Sequence, residues 1–344
     1  MSIIFKKKLL TNFKYKLRVP PLSKISEKKI FINEINRNFK SVYLFKINNV
    51  FISKTGTPIL FNFKILFDYL KFNSLSGLKR VKKILLLIKY YKYFIKIKSF
   101  SKLKNIDVNE GIFISDRHSV NYYHWLTDVL PKIFLIKKLK KYKNIPIIIP
   151  KYKTSFQIDS INLLNKNIKT INKNSNIKNF YYISELHVSG CPRPKYIKDL
   201  KKFLIKKINR KRNYPKIYIS RRFSDYRKIL NEKKLIKFLK DENFKIIHAE
   251  KLSFIEQIRC FSNAKFVISS HGAGLTNLIW MKPKSKILEI RSANPTQNSN
   301  YVLCNTFKIK YFYHLVRQVN YSSNGSYLFK LDEFKKYYNN IKSY

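Results

Sequence analysis

The chain is poor in glycine, acid and cysteine, and each scarcity removes options. Only 7 glycines and 11 prolines occur in 344 residues, which excludes collagen-like and low-complexity architectures. No Gly/Ser-rich or Pro-rich linker and no internal repeat breaks the chain. The 3 cysteines, Cys191, Cys260 and Cys304, are widely spaced and lack any CxxC or Cys/His ligand spacing. That argues against a structural zinc site and fits a reducing compartment. No segment reads as membrane-spanning. The basic start MSIIFKKKLLTNFKYK holds no apolar core of signal-peptide length. The apolar run KILLLIKYYKYFIKIKSF (83–100) is broken by lysine every few residues and is too charged to cross a bilayer. It reads as a scaffold element with solvated lysines, or as a basic amphipathic segment on an anionic surface.

Acid is the largest deficit. Asp and Glu total 19 against 72 Lys and Arg, a formal net charge of +53. Such a field attracts nucleic acid, anionic membrane or an acidic ligand. A compositional reading competes with it. Lys, Asn, Ile, Phe and Tyr are over-used together, as in coding sequence rich in A and T, so part of the lysine excess decorates solvated faces. Lysine is spread over the whole chain, with no recognised binding module and no concentrated basic helix, so nucleic acid is not the expected partner. The expected location is cytoplasmic, with peripheral attachment at an anionic inner membrane face as the accompanying option.

What is present is enough hydrophobic residue, 45%, and enough length for two domains. KSVYLFKI (40–47) and PILFNFKIL (58–66) read as strands around a TGTP turn. GIFISD (111–116) reads as a strand. NYYHWLTDVLPKIFLIKKLKKY (121–142) is a long helix, or two with a break near Pro131. IPIIIP (145–150) and NFYYISELHVS (179–189) are strand-like, while SFQIDSINLLN (155–165) and PKYIKDLKKFLIKKIN (194–209) are helical. Beyond the basic stretch 209–216 the alternation is regular: strand KIYIS (216–220), helix NEKKLIKFLKDEN (231–243) with Asn231 as N-cap, and strand FKIIHAE (244–250). A helix opened by a Ser253/Glu256 capping box follows. Strands KFVISS (265–270) and KILEI (286–290) then flank the turn His271-Gly272-Ala273-Gly274. Alternating strand and helix means parallel strands covered by helices. The expected fold is α/β, with two Rossmann-like domains facing a cleft: residues 106–208, preceded by a segment 1–105 of unclear role, and residues 209–344, whose last helix packs back on the N-terminal domain.

The turn 271–274 holds two of the chain's few glycines between a strand end and a helix start near Leu275. Small residues there let backbone N–H groups approach an anion, and the helix start adds positive potential. Tight chain reversal alone also accounts for such glycines. In parallel sheets ligands bind beyond the carboxyl ends of strands, where Ser220 and Arg221 also fall.

Three segments in order carry a family resemblance: NYYHWLTDVLPK (121–132), YISRRFSDYRKILNEKKL (218–235) and SFIEQIRCFSNAKFVISSHGAGLTNLIWMKPKSKILEI (253–290). Together they resemble glycosyltransferase family 61, over roughly residues 110–315. Lys284 stands after Pro283 where many members carry glycine. The resemblance implies a GT-B fold and an inverting transfer from a nucleotide sugar, typically UDP-linked, to a glycan or lipid-linked glycan acceptor in surface or capsule polysaccharide synthesis. It implies no essential metal, because cationic side chains and a helix N-terminus hold the diphosphate.

On that basis Arg221 is the candidate diphosphate clamp, with Arg227 second and Arg222 solvated. A surface arginine paired with a nearby acid is the alternative for Arg221. His271 and the backbone of Gly272, Ala273 and Gly274 are assigned to phosphate or ribose, with a turn-capping role for His271 as the alternative. Asn277 is a donor contact or a structural cap. Glu289 accepts from ribose hydroxyls or is a buried carboxylate bonded to backbone amides. An inverting transfer needs a general base, for which His124, Asp128, Asp116 and His118 are candidates. His124 and Asp128 lie four apart, on one helix face; they form an oriented base or a structural pair. Tyr123 and Trp125 line an acceptor groove or belong to the core. Two further readings stand beside the transferase: a basic protein that binds nucleic acid or membrane, and a non-catalytic scaffold of the same fold.

Overall fold

The computed structural model describes residues 5–21, 25–52, 58–60, 106–114, 119–150, 154–164, 168–171, 173–186, 191–208, 213–293, 298–316 and 325–344. The segment 83–100, the TGTP turn up to residue 57, and the base candidates Asp116 and His118 lie outside the described residues. The chain forms two compact units, Met1–Asn12 with Lys40–Leu186 and Phe13–Phe39 with His187–Tyr344. The boundary thus differs from the expected one near residue 209. The helix Pro194–Lys206 goes with the second unit, and so does part of the N-terminal segment.

The strands of the first half of the chain are β1 (Phe5–Leu10), β2 (Phe13–Lys16), β3 (Asn36–Phe39), β4 (Val42–Ile52), β5 (Pro58–Leu60), β6 (Ile106–Phe113), β7 (Ile147–Pro150), β8 (Ile168–Ile171) and β9 (Ser175–Ile183). The first unit is built on a 7-stranded sheet of order β1-β4-β9-β6-β7-β8, with β5 also on β4. Strands β9, β6, β7 and β8 pair in parallel. In contrast, β4 is antiparallel to β1, β5 and β9. This sheet is therefore mixed rather than wholly parallel. Its core joins Ile47, Val50 and Ile52 to Phe113, Ile148 and Phe180.

The expected break near Pro131 takes a particular form. The helical path runs through Tyr122–His124, a π-turn Trp125–Val129, and Leu130–Lys138. Proline has no N–H and its ring crowds the carbonyl four residues back. A wider turn immediately before it absorbs both defects without ending the helix.

The second unit carries β10 (Lys216–Ile219), β11 (Lys245–Ile247), β12 (Phe266–Ser270), β13 (Lys286–Arg291) and β14 (Lys310–Leu315). These form a 5-stranded sheet of order β11-β10-β12-β13-β14, parallel throughout. The chain moves from β10 outward to β11, then crosses back over β10 to β12. The winding sense therefore reverses between β10 and β12, the topological switch point at which such sheets open a crevice for ligands. Both faces are covered, so β12 is buried at every residue. One core cluster gathers Tyr218, Leu235, Leu239, Ile268, Leu288 and Phe312 with Phe334, Tyr338 and Ile341 of the last helix, Leu331–Lys342. That helix packs on the sheet of its own unit, contrary to the expectation from sequence.

Two local signals had different outcomes. The capping box forms: Glu256 N–H donates to Ser253 Oγ at 3.2 Å, and Ser253 N–H to Glu256 Oε2 at 3.1 Å. Asn231 does not cap its helix. Its amide instead pairs with the Phe329 backbone, donating at 2.7 Å and accepting at 3.0 Å, because a chain segment about a hundred residues on comes alongside.

Residues 13–39 have a clear role. The β2–β3 ribbon and the turns after it strap the edge of the second unit. Phe31, fully buried, packs its ring 4.8 Å from Tyr301 and 5.2 Å from Tyr313. Tyr301 Oη donates to Arg18 O at 2.7 Å, and Tyr313 Oη to Glu27 at 2.6 Å. Truncating Phe334 to alanine leaves a hole under the second sheet and is expected to cost about 3–5 kcal/mol. Urea unfolding followed by tryptophan fluorescence measures this. A loss below about 1 kcal/mol would mean that the last helix contributes little to the core.

Candidate active site at the switch point of the second sheet

Strand ends here lead to residues with chemistry. Strand β10 is followed by Ser220 and Arg221 and β12 by His271, while β13 ends in Arg291. Ser269 Oγ donates to Ile219 O at 3.0 Å, tying β12 to β10 where they diverge. Glu232, at the start of the helix Glu232–Asp241, accepts from Tyr218 Oη at 2.6 Å and from Ser220 Oγ at 3.0 Å. Ser220 Oγ in turn accepts from Arg222 N–H at 3.2 Å. The exit of β10 is thereby fixed and the next side chain, Arg221, is aimed.

Arg221 is partly buried. Its Nη2 donates to Ser224 Oγ at 2.6 Å and Tyr226 O at 2.9 Å, and its Nε to Tyr226 O at 3.2 Å. Nη1 has no hydrogen-bond partner among the described residues. It points at Gly272: a Cβ built there would stand 2.6 Å from Cζ and closer still to Nη1. The glycine is needed for that contact, since its backbone is extended (φ 168°) and suits any residue. Gly274 differs. A Cβ there would meet Ile219 and Ala249 at 3.5 and 3.8 Å, ordinary contact distances. Burial, and then the charge of nearby Arg227, lower the pKa of Arg221, yet a guanidinium stays charged. Arg227 adopts φ 58° and donates from Nη1 to His271 O at 3.3 Å. Neither arginine forms a salt bridge among the described residues. Arg222 is exposed, as expected.

The turn itself leads into a 3-10 helix, Ala273–Trp280, whose first inward bond is Leu275 N–H to Gly272 O at 3.1 Å. The amides of Ala273 and Gly274 precede that bond and have no acceptor within the helix. Both residues are partly exposed. Asn277 is fully buried. Its Nδ2 donates to Gln257 at 2.7 Å and to Gly274 O at 3.1 Å, and its Oδ1 accepts from Trp280 Nε1 at 3.1 Å. It locks the turn from behind and does not face a ligand, which corrects its assignment as a donor contact.

Glu289 is corrected in the same way. It is fully buried and accepts from His271 Nδ1, from Asn300 Nδ2 at 2.6 Å, and from Tyr311 Oη. Burial by itself raises a carboxyl pKa. Here the charge and hydrogen bond of His271, then Arg291 and Tyr311, outweigh it and hold Glu289 at about 2. An ionised carboxylate only accepts, so His271 Nδ1 carries a proton. Nε2 is then the ring atom left for a ligand, and it has no partner among the described residues. Arg291, also fully buried, donates to Asn298 Oδ1 at 2.9 Å and lies 5.6 Å from the Phe31 ring, joining the network to the 13–39 strap.

In the first unit, His124 Nδ1 lies 2.8 Å from Asp128 Oδ2, and Thr127 Oγ1 donates to Asp128 Oδ1 at 2.6 Å. The side chain of His124 is 24% exposed and that of Asp128 7%. The expected pair therefore forms, across the π-turn. Trp125 is fully buried with Nε1 donating to Ser160 at 2.8 Å, and Tyr123 is buried too; both belong to the core. Among the described residues no group of three or more His, Cys, Asp or Glu is placed to hold a metal ion, and no helix is long and apolar enough to cross a membrane.

Comparison with known proteins matches residues 122–288 to the family described as Glycosyltransferase 61. Residues 122–288, somewhat less than half of the chain, are thus similar to the glycosyltransferase 61 family. Curated relatives include EGF domain-specific O-linked N-acetylglucosamine transferases. The one from Gallus gallus is 30% identical and the one from Bos taurus 28%, each over 113 residues that make up 30% of this chain and 21% of the relative. The chain thus spans about a fifth of those relatives' length.

The glycosyltransferase 61 segment begins at the helix of His124 and ends one residue before Glu289. It contains Arg221, Arg227 and the turn 271–274, while Asn300 and Tyr311, which hold Glu289, lie past its end. These two, with Glu232 and Ser224, were missed in the sequence. Only the Asn-Glu pair at 231–232 inside a recognised motif gave any signal.

The folded-state pKa of Glu289, about 2, lies below its ordinary value of 4.5. Its contribution to stability is therefore present above about pH 4.5 and lost as pH falls towards 2. Urea midpoints taken from about pH 6 to about pH 3 should fall more steeply for the wild type than for Glu289→Gln. Parallel profiles would show that the carboxylate is not held ionised.

Proposed function

We propose that the protein is a glycosyltransferase that transfers a sugar from a nucleotide diphosphate donor to a glycan acceptor, with inversion and on a GT-B-type scaffold. The observation that carries the reading is the Arg221 guanidinium set against Gly272. One edge is held by protein groups and one nitrogen is free, beside the unpartnered amides of Ala273 and Gly274. This lies at the switch point of a parallel sheet, in a segment similar to the glycosyltransferase 61 family.

A diphosphate in that place accepts from Nη1 of Arg221 and from the turn amides, with Arg227 as a second cation. Charge-assisted bonds of this kind strengthen as the leaving group gains negative charge. Two fixed guanidinium groups supply this stabilisation, so the reaction is proposed to need no bound metal. His271 Nε2, fixed by the Nδ1 bond to Glu289, is available to a phosphate oxygen or ribose hydroxyl. His124, oriented by Asp128, is the proposed general base on the acceptor hydroxyl. The relatives are N-acetylglucosamine transferases by name, which, with the UDP-linked donor proposed here, makes UDP-N-acetylglucosamine the first donor to try. A surface-polysaccharide glycan is the proposed acceptor class.

Calorimetric titration with UDP, GDP, CMP and their sugar conjugates tests the reading. One nucleotide should bind saturably, and Arg221→Ala should weaken it about 10- to 100-fold. Gly272→Ala, which pushes the guanidinium aside, should match that loss, while Gly274→Ala should stay close to wild type. Unchanged affinity in Arg221→Ala would refute the diphosphate role.

His124→Ala should lower kcat by about 100-fold or more with donor affinity kept. Loss of donor binding alone would remove His124 from the chemistry.

A further inference from the structure

A second cationic surface lies at the other edge of the same sheet. The strands of the second unit are parallel, so the loops before β13 and β14 share the amino edge, away from Arg221 and the 271–274 turn. Six lysines converge there: Lys198, Lys202 and Lys206 on the helix Pro194–Lys206, Lys282 and Lys284 before β13, and Lys308 before β14. They are joined by observed relations. Lys284 N–H donates to Lys308 O at 2.8 Å. Burial and then the charges of Lys308 and Lys202 lower the pKa of Lys198. Lys202, Lys206 and Lys282 rim a half-open cavity of about 250 Å³ backed by Ile205 and Trp280.

None of the six has an acidic partner among the described residues. Two of them also occupy backbone positions that favour glycine. Lys284 has φ 67° and Lys308 φ 56°, in the left-handed region where a side chain is strained. The chain carries charge at these two turns where glycine would be easier.

The chemistry of the face selects its partner. It contains lysine and no arginine, so it offers diffuse point charges and not forks for bidentate phosphate recognition. Of the large exposed aromatic side chains Phe13, Phe223, Tyr226 and Tyr344, Tyr344 alone comes to this edge, beside Lys310, so the face lacks the series of stacking platforms with which single-stranded nucleic acid is held. A plane of anionic headgroups needs neither feature and rewards each lysine brought near it.

We propose that this lysine face docks on the headgroup plane of an acidic phospholipid bilayer. Docking there leaves the carboxyl edge of the sheet, about 20 Å away along the strands, open to solution. The inference is independent of the donor-site reading.

Co-sedimentation with phosphatidylcholine vesicles, with and without phosphatidylglycerol, tests it. The full chain should bind only the acidic vesicles. The triple variant Lys202→Glu/Lys206→Glu/Lys282→Glu should lose about 100-fold in partitioning. A control, Lys233→Glu/Lys234→Glu/Lys237→Glu, makes the same charge change on exposed positions of another helix and should lose less than about tenfold. The matching Lys→Gln triple of the face carries the test if the Glu triple does not fold, and nucleotide titration of either should equal wild type. Equal losses in face and control triples would reassign binding to net charge and overturn the proposal. So would indifference to phosphatidylglycerol, or a face triple that loses short DNA and keeps the vesicles.

Discussion

The second unit is organised around one buried carboxylate. An ion without partners in such a place costs several kcal/mol, so Glu289 is stable only while His271, Asn300, Tyr311 and Arg291 surround it. Those partners come from the turn after β12, from β13 and β14, and from the helix Ser299–Phe307. Satisfying one charge therefore fixes the end of β12, the neighbouring β14 and the helix between them. Through Arg291, Phe31 and Asn298, which donates to Ile30 O at 2.8 Å, the same network anchors the N-terminal strap. The imidazole that ends at the turn 271–274 is thus set by residues that never face a ligand.

The opposite electrostatic condition holds a few ångströms away. Arg221 and Arg227 bring two guanidinium groups together with no carboxylate among the described residues bonded to either. The nearby acid Glu232 is consumed by Tyr218 and Ser220. Like charges held together this way favour an anion between them. The geometry of Arg221, gripped by Ser224 and Tyr226 and pressed against Gly272, leaves one nitrogen to meet it. The lysine face on the amino edge is also unneutralised but differs in kind: flexible ammonium groups without fixed orientation suit an extended anionic surface, whereas a braced guanidinium suits one phosphate.

The alternating α/β pattern of residues 216–290, the Ser253/Glu256 capping box, the His124/Asp128 spacing and the glycine turn were all legible, because each rests on neighbours within a few residues. Misread features shared a different property. Asn231 pairs with Phe329, and Phe13–Phe39 joins a unit formed mostly after residue 187. The first sheet is mixed because β4 pairs with strands before and after it. Asn277 and Glu289 looked like ligand contacts because polar residues near a binding turn have the same composition whether they face the ligand or brace the loop.

The sequence by itself determined the periodicity of the strands and helices, the positions of Arg221, His271 and the two glycines at strand ends, and the similarity of the segment 122–288 to a glycosyltransferase family. These follow from local backbone preference and side-chain type. Tertiary structure alone decided which of those polar groups keep an open valence. Burial and hydrogen-bond satisfaction depend on long-range neighbours: Glu289 and Asn277 are saturated from behind, Arg221 retains Nη1, and Gly272 is required by a guanidinium 51 positions earlier rather than by its own φ.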